Sequence, residues 1–373
     1  MGNVLETIER RIAAQFDRRY CVLTGSGTAA LYAAFRCMGL KNGSGIVYPD
    51  LTCETAVNAA VFAYMQPMFC DVDRHSFTMD PEDACVKVSR ESVSAVVATH
   101  LFGHLQHIPQ LQGRLTKDVV VVEDAAQGYG GMLDDLRVGS LGDASVLSFG
   151  EGKLLDCGGG GALLTDSADM YANCRDLQNE LCDSPEQIHA ARAACMRDLF
   201  SLRKRQPAPE AYVQERAVLM QQHRDGYVFR IDSQMATWIE KRFSELQAVA
   251  ERRRSETQVF NDVLSGVAEA GAVVEGSQAA LWRYAFLLPV AQRDAVLERL
   301  LRKNINATKL FAPMHRQYGL PDADYPHATG VYERIINVVF EFGGRTPREC
   351  AEIIRNEILD AAQRSGNKDS SNF

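Results

Sequence analysis

The sequence lacks any apolar run approaching the ~20 residues of a membrane-spanning helix, which argues against an integral membrane protein of the helical kind. It also lacks a CxxC pair: its ten cysteines are scattered singly through apolar or helical stretches. That pattern argues against a disulfide framework and against a zinc ribbon, and it predicts reduced thiols in a cytoplasm. Positive charge is not in excess. A formal net charge of −8 speaks against nucleic acid as the main partner, and the local patch Arg203, Lys204 and Arg205 reads as a solvated helix end. There is no phosphate-binding GxxxxGK[ST] loop, because Leu147 stands where its first glycine belongs and Leu154 follows the lysine. Internal repeats are absent. The opening stretch MGNVLETIERRIAAQFDRRY is amphipathic and charged, unlike a signal or transit peptide, and Glu6 occupies the position where a myristoylation motif wants Ser or Thr.

What is present is a globular composition, 46% hydrophobic and 24% charged, on a chain of 373 residues. That length can bury one large core, or one large and one small. In the first helix Val4, Ile8, Ile12 and Phe16 recur at helical spacing. Short apolar strands then alternate with helices: strands at Cys21–Thr24, Gly45–Tyr48, Pro67–Val72, Ala95–Thr99, Val119–Val122, Ala144–Phe149 and Gly161–Thr165, with helices at Thr28–Met38, Thr52–Tyr64 and Pro81–Val88 between the first of them. This order predicts an α/β fold with a large, mostly parallel seven-stranded sheet covered by helices on both faces. Ligands in such sheets bind at the carboxyl ends of the strands. Residues 168–225 read as a helical insertion broken at Pro207 and Pro209, and one long helix is expected from about Ser233 into Val259. The expected organisation is a large domain over residues 1–245, a smaller α/β domain over 246–364, and a disordered tail over 365–373.

Three groups fall at strand ends. Lys153 lies in SFGEGKLLDCGGGG (148–161), between two apolar runs. Burial there lowers an amine's pKa and frees it as a nucleophile toward an aldehyde; a loop lysine without a role is the alternative. GSGT (25–28) opens a helix directly after a strand, where glycines permit close approach and free N–H groups favour phosphate, although such turns are common. Glu123 and Asp124 end the run VVVV, where a buried carboxylate needs a cation, a metal or a protonated ring nitrogen; a helix N-cap is the plainer reading of Asp124. A lysine, a phosphate cradle and a buried carboxylate together are what pyridoxal 5′-phosphate requires. His100, His104 and His107 have metal-like spacing, but Gly103 puts them in a strand-to-loop turn. Trp282 and Tyr284 read as core and domain contacts.

The chain resembles the DegT/DnrJ/EryC1/StrS family of sugar aminotransferases, a branch of the aspartate-aminotransferase fold type I. The resemblance runs over nearly its whole length, through TGSGTAALYAAF (24–35), YPDLTCETAVNA (48–59), FCDVD (69–73), THLFGH (99–104), EDAAQGYGG (123–131), VGSLGDASVLSFGEGK (138–153), GGGGALLTD (158–166), GYVFRI (226–231) and PMHRQY (313–318). It implies that Lys153 bonds the cofactor's aldehyde and later carries the proton between carbons. It implies that Asp124 pairs with the pyridinium nitrogen and Gln127 with the phenolic oxygen, while Thr28, Ala29 and Ser148 bind the phosphate. Arg230 becomes a candidate for a carboxylate or phosphate of the amino donor or acceptor, with a structural salt bridge as the alternative, and His315 a candidate for substrate contact. Two positions depart from the family: Cys53 replaces the aromatic that stacks on the ring, and Val228 replaces an asparagine that reaches the phosphate from the neighbouring subunit. The helical insertion is longer than usual and lies by the substrate entrance.

The resemblance implies a cytoplasmic homodimer that moves an amino group from glutamate or glutamine to a keto-sugar or related keto-compound, in no need of nucleic acid or membrane. The alternative is another pyridoxal-phosphate reaction on an amino acid-derived substrate, motivated by Cys53 and the insertion. A third reading, a non-catalytic descendant, is opposed by the joint presence of Lys153, Asp124 and Gln127.

Overall fold

Strands short enough to cross one core, with apolar side chains on both faces, stack here into a single large sheet. The computed structural model describes residues 2–90, 92–116, 118–183, 186, 188–205 and 208–369. Its first nine strands are β1 (Tyr20–Thr24), β2 (Gly45–Pro49), β3 (Gln66–Cys70), β4 (Val93–Thr99), β5 (Val120–Asp124), β6 (Met132–Leu133), β7 (Leu136–Arg137), β8 (Ala144–Ser148) and β9 (Gly161–Thr165). Seven form the main sheet in the order β1-β9-β8-β5-β4-β2-β3. Pairings from β8 through β5, β4 and β2 to β3 are parallel, whereas β9 runs antiparallel to both β1 and β8. The expected seven-stranded, mostly parallel sheet is therefore present.

Period-two alternation sends neighbouring residues into opposite cores. Ile46, Tyr48 and Val97 join Leu31, Phe35, Val57 and Phe62, from the helices Gly27–Cys37 and Glu54–Phe62, on one face. Val47, Val96 and Ala98 join Ile8, Ile12 and Phe16 at the N-terminal helix on the other. Val4, expected on that same stripe, is exposed instead.

The second half adds β10 (Glu269–Ala270), β11 (Ser277–Gln278), β12 (Arg283–Leu287), β13 (Ala307–Thr308) and β14 (Ile335–Val339). An antiparallel sheet, β10-β12-β14-β13, packs on the helices Val290–Arg302 and Pro347–Asp369 around a third core that includes Phe260, Phe286 and Ile354. The hairpin β6-β7 pairs with β11, stitching the two halves together.

The single helix expected from Ser233 to Val259 is two helices, Ser233–Phe243 and Leu246–Leu264. Glu245 N–H bonds the carbonyl of Arg242, a tight three-residue turn where a continuing α-helix would bond position 241. The second helix is shared between halves: Leu246 and Val249 enter a large-half core, Phe260 and Leu264 the small-half one. The segment after β9 is helical as expected, at Ala168–Glu180, Ile188–Lys204 and Pro209–Gln222. Pro207 lies outside the described residues. The last helix continues to Asp369, into the stretch expected to be a disordered tail, whose final residues 370–373 lie outside the described residues.

Candidate active site

At the end of β5 the alternation of strand side chains separates two adjacent carboxylates. Glu123 turns into the core and is fully engaged. It accepts hydrogen bonds from the backbone N–H groups of Gly139 (2.7 Å) and Leu141 (2.9 Å), from Ser145 Oγ (2.6 Å) and from His100 Nε2 (3.0 Å). His100 Nδ1 accepts from the Gln106 N–H (3.0 Å), so Nε2 is the protonated nitrogen. Burial alone would raise the Glu123 pKa, but the His100, Ser145 and backbone bonds hold it below the ordinary value. Asp124 faces the other way and is poorer in partners, with one bond from the Ala126 N–H (3.1 Å). Burial pushes its pKa up, against the nearby Lys153 charge.

Lys153 sits in the loop after β8, where its N–H bonds the Gly150 carbonyl. Burial lowers its pKa, opposed by Cys53 and Asp124 and reinforced by Arg283. Its Nζ lies 4.8 Å from the centre of the Trp282 ring. Trp282 is locked there: Nε1 donates to the Gly152 carbonyl (2.6 Å) and the backbone N–H to the Phe102 carbonyl (2.8 Å). Expected to be a domain contact, Trp282 is one, and it also meets the lysine. Tyr284, on β12, enters the small core, as expected.

Gln127 Oε1 accepts from the Phe102 N–H (2.9 Å), which fixes the amide and leaves its NH₂ as the donor to the cavity. At the far end, Ser26 caps the helix Gly27–Cys37. Its Oγ accepts from the Ala29 N–H (3.0 Å) and donates to the Tyr227 carbonyl (2.5 Å). The Ala29 N–H, expected to bind phosphate, is thus held by its own cap. Two glycines keep this cradle open: a Cβ on Gly27 would come within 2.8 Å of Ser148 Cβ, and one on Gly25 within 2.1 Å of the Phe229 ring. Cys53 occupies the N-cap position of the helix Glu54–Phe62, its sulfur 3.2 Å from Thr55 Oγ1.

Thr28, Cys53, Asp124, Gln127, Ser148, Lys153 and Arg230 all line one cavity of about 510 Å³. Arg230 stands exposed at its rim, paired with Asp183 (2.5 Å). His315 is elsewhere. It is fully buried, with Nδ1 2.7 Å from Asp50, Nε2 2.9 Å from Asp322 and its ring stacked on Tyr325, so both nitrogens are occupied and none faces the cavity. Val228 is buried in the core beside Phe62 and Tyr227. The three histidines of 100–107 do not converge: His104 is buried edge-on to Phe77 with its pKa lowered to about 4 by burial, and His107 caps the helix Ile108–Arg114. Among the described residues no group of three or more potential ligands could hold a metal ion, and no helix is long and apolar enough to cross a membrane.

A family model described as the DegT/DnrJ/EryC1/StrS aminotransferase family matches residues 1–341. The chain belongs to this family. Among curated members it is 29% identical over 180 residues to the GDP-perosamine synthase of Escherichia coli O157:H7, covering 48% of this chain and 49% of that protein. It is 31% identical over 175 residues to the L-glutamine:2-deoxy-scyllo-inosose aminotransferase of Streptomyces lividus, covering 46% and 41%. These matches span about half the length of the relatives. A member-family structure from Brucella abortus superposes with a TM-score of 0.74 at 20% identity over 95% of this chain and 90% of that one. DesI, solved with its TDP-sugar product, gives 0.77 at 22% identity over 99% and 88%. The family fold therefore extends through the helical insertion and the second half.

Proposed function

We propose that this DegT/DnrJ/EryC1/StrS family member is a pyridoxal 5′-phosphate-dependent aminotransferase, passing an amino group from glutamate or glutamine to a keto-sugar or related keto-compound. The observation that carries this reading is the convergence on one cavity of Lys153, Asp124 and the oriented NH₂ of Gln127, opposite the hydroxyls of Thr28 and Ser148. Those donors and acceptors fit the cofactor. A buried carboxylate with a single backbone bond suits a protonated ring nitrogen, an amide locked as a donor suits the phenolic oxygen, and two hydroxyls beside a glycine turn suit the phosphate. When bound, the cofactor supplies an electron sink for negative charge at the substrate's α-carbon.

The chain's own residues do the rest. Burial favours the neutral amine of Lys153, so Nζ can take a proton from the donor's α-carbon and return one to the acceptor's carbon. Asp124 would hold the ring-nitrogen proton, and the bond from Trp282 Nε1–H to the Gly152 carbonyl fixes the loop that carries Lys153. Ile188, His189 and Met196, from the insertion, line the same cavity. Both half-reactions use the one lysine, and because the donor's keto product leaves before the acceptor binds, the kinetics would be ping-pong. The relative named L-glutamine:2-deoxy-scyllo-inosose aminotransferase supports this over another reaction class. The same reading includes a homodimer in the cytoplasm, testable by sedimentation of the purified chain.

The experiment is a visible absorption spectrum. The protein as purified, or given pyridoxal phosphate, should be yellow, and Lys153→Ala should lose the lysine-bound band. Glutamate alone should then convert the cofactor to its amine form with one equivalent of 2-oxoglutarate released. A colourless protein that takes up no added cofactor overturns the proposal.

A further inference from the structure

The helical insertion delivers to the cavity a cation that no sequence motif marks. Arg192 lies in the second turn of the helix Ile188–Lys204. Its Nε donates to the Gly226 carbonyl (3.0 Å), and its guanidinium lies over the Tyr227 ring, 5.3 Å from the centroid. The segment it grips is the one that holds the glycine turn: the Tyr227 carbonyl accepts from Ser26 Oγ, and the Phe229 carbonyl accepts from the Gly25 N–H (3.0 Å). Arg192, Ser26, Thr28 and Ser148 line the same cavity.

Three other arginines of the insertion, Arg203, Arg205 and Arg216, have carboxylate partners. Glu54 takes both Arg203 (2.8 Å) and Arg216 (2.9 Å), and Arg205 pairs with Glu215 (2.5 Å). Arg230, at the rim, has Asp183. Among the described residues Arg192 has no ion pair; burial lowers its pKa and only the Tyr227 phenol opposes. It nonetheless stays charged, since an arginine does not lose its proton in a protein. A half-buried guanidinium with its Nε anchored and its terminal nitrogens free, beside a helix start and two hydroxyls, is arranged for an anion. Val228, in the same segment, turns its methyl groups into the core and offers no donor.

We propose that Arg192, supplied within the same chain by the insertion, binds the phosphate of the cofactor. This rests on the pyridoxal-phosphate reading above. A second anion enters the same cavity, the carboxylate of the amino donor, and the test separates the two. The affinities of pyridoxal phosphate and of pyridoxal, which lacks the phosphate, are measured by spectral titration of the full chain for the wild type, Arg192→Ala and Arg192→Lys. Loss of a charge-assisted contact should weaken pyridoxal phosphate by roughly ten- to a hundredfold in Arg192→Ala. Pyridoxal binding should be unchanged, and Arg192→Lys should recover part of the loss. Equal weakening of both ligands would mean that the arginine only supports the fold, and overturns the proposal. Unchanged pyridoxal phosphate affinity overturns it too, and with a raised glutamate requirement in the half-reaction it would assign Arg192 to the donor carboxylate. A wild type that binds no pyridoxal phosphate defeats the aminotransferase reading itself, an outcome visible before any variant is made.

Discussion

Besides the neighbouring Cys53, Asp124 and Arg283, Lys153 is under two influences of opposite sign. Burial disfavours its ammonium, while the electron-rich face of Trp282, 4.8 Å away, stabilises it. Removing the indole therefore favours the neutral amine at lower pH. In cofactor-free protein, Trp282→Leu should move the pH midpoint of Lys153 labelling by an amine reagent downward by about half a unit to one unit. Site-resolved mass spectrometry reads the labelling, with Lys153→Ala as the blank. A midpoint displaced upward would mean that the indole acts by keeping water out, and the cation–π account fails. Lys153 and Asp124 were legible in the sequence because each stands at the end of a continuous apolar run, and Gln127 because the family resemblance points to it. Trp282 was not, since it reaches the lysine loop across 130 positions and the pattern around it is that of an ordinary core strand. His315 shows the converse: its motif was legible, but Asp50, 265 positions away, and Asp322, seven positions on, occupy both its ring nitrogens and keep it from the cavity.

At the level of elements, one buried arginine is among the side chains that fasten the insertion to the sheet domain, with Gln221 beside it on the Val61 carbonyl (2.7 Å). Arg216 bonds Glu54 (2.9 Å), Asn58 Oδ1 (2.6 Å) and the Tyr318 hydroxyl (2.7 Å), joining the helix Pro209–Gln222 to Glu54–Phe62 and to the segment after Met314. Arg203, read from the sequence as part of a solvated patch, also reaches Glu54 and Gln317 and is half-buried. Helical spacing showed that these stretches were helices but could not show which carboxylate lay opposite them. Arg216→Ala strands Asn58 and Tyr318 in the interior and should cost about 3 kcal/mol in urea denaturation. Arg216→Met, which fills the volume, should cost less. Trypsin should cut Arg216→Ala within residues 188–222 faster than the wild type, because that helix pair loses its anchor. Equal cutting rates would show that the apolar contacts of Leu199 and Met220 hold the insertion unaided.

Across the whole molecule, the two halves are clamped by aspartates that follow neighbouring strands of the large sheet. Asp50, after β2, accepts from the His315 N–H (2.6 Å). Asp71, after β3, accepts from the N–H groups of His327 (3.0 Å) and Ala328 (2.7 Å), capping the helix Pro326–Arg334 from 256 positions away. The alternation of strands and helices made both halves legible. The seam was not, because a cap supplied from so far along the chain leaves no local signature. Each such bond is worth about 1 kcal/mol, and together they couple the small core to the large one. The chain has two tryptophans. In a Trp238→Phe background, Trp282 fluorescence reports the seam alone and far-ultraviolet circular dichroism reports the whole. With both aspartates intact the two denaturation midpoints should coincide. In Asp50→Ala/Asp71→Ala the fluorescence midpoint should fall below the circular dichroism midpoint, as the small half detaches before the seven-stranded sheet unfolds. Midpoints that still coincide in the double variant would place the coupling in the shared helix Leu246–Leu264 and the β6-β7-β11 stitch, not in the aspartate clamps.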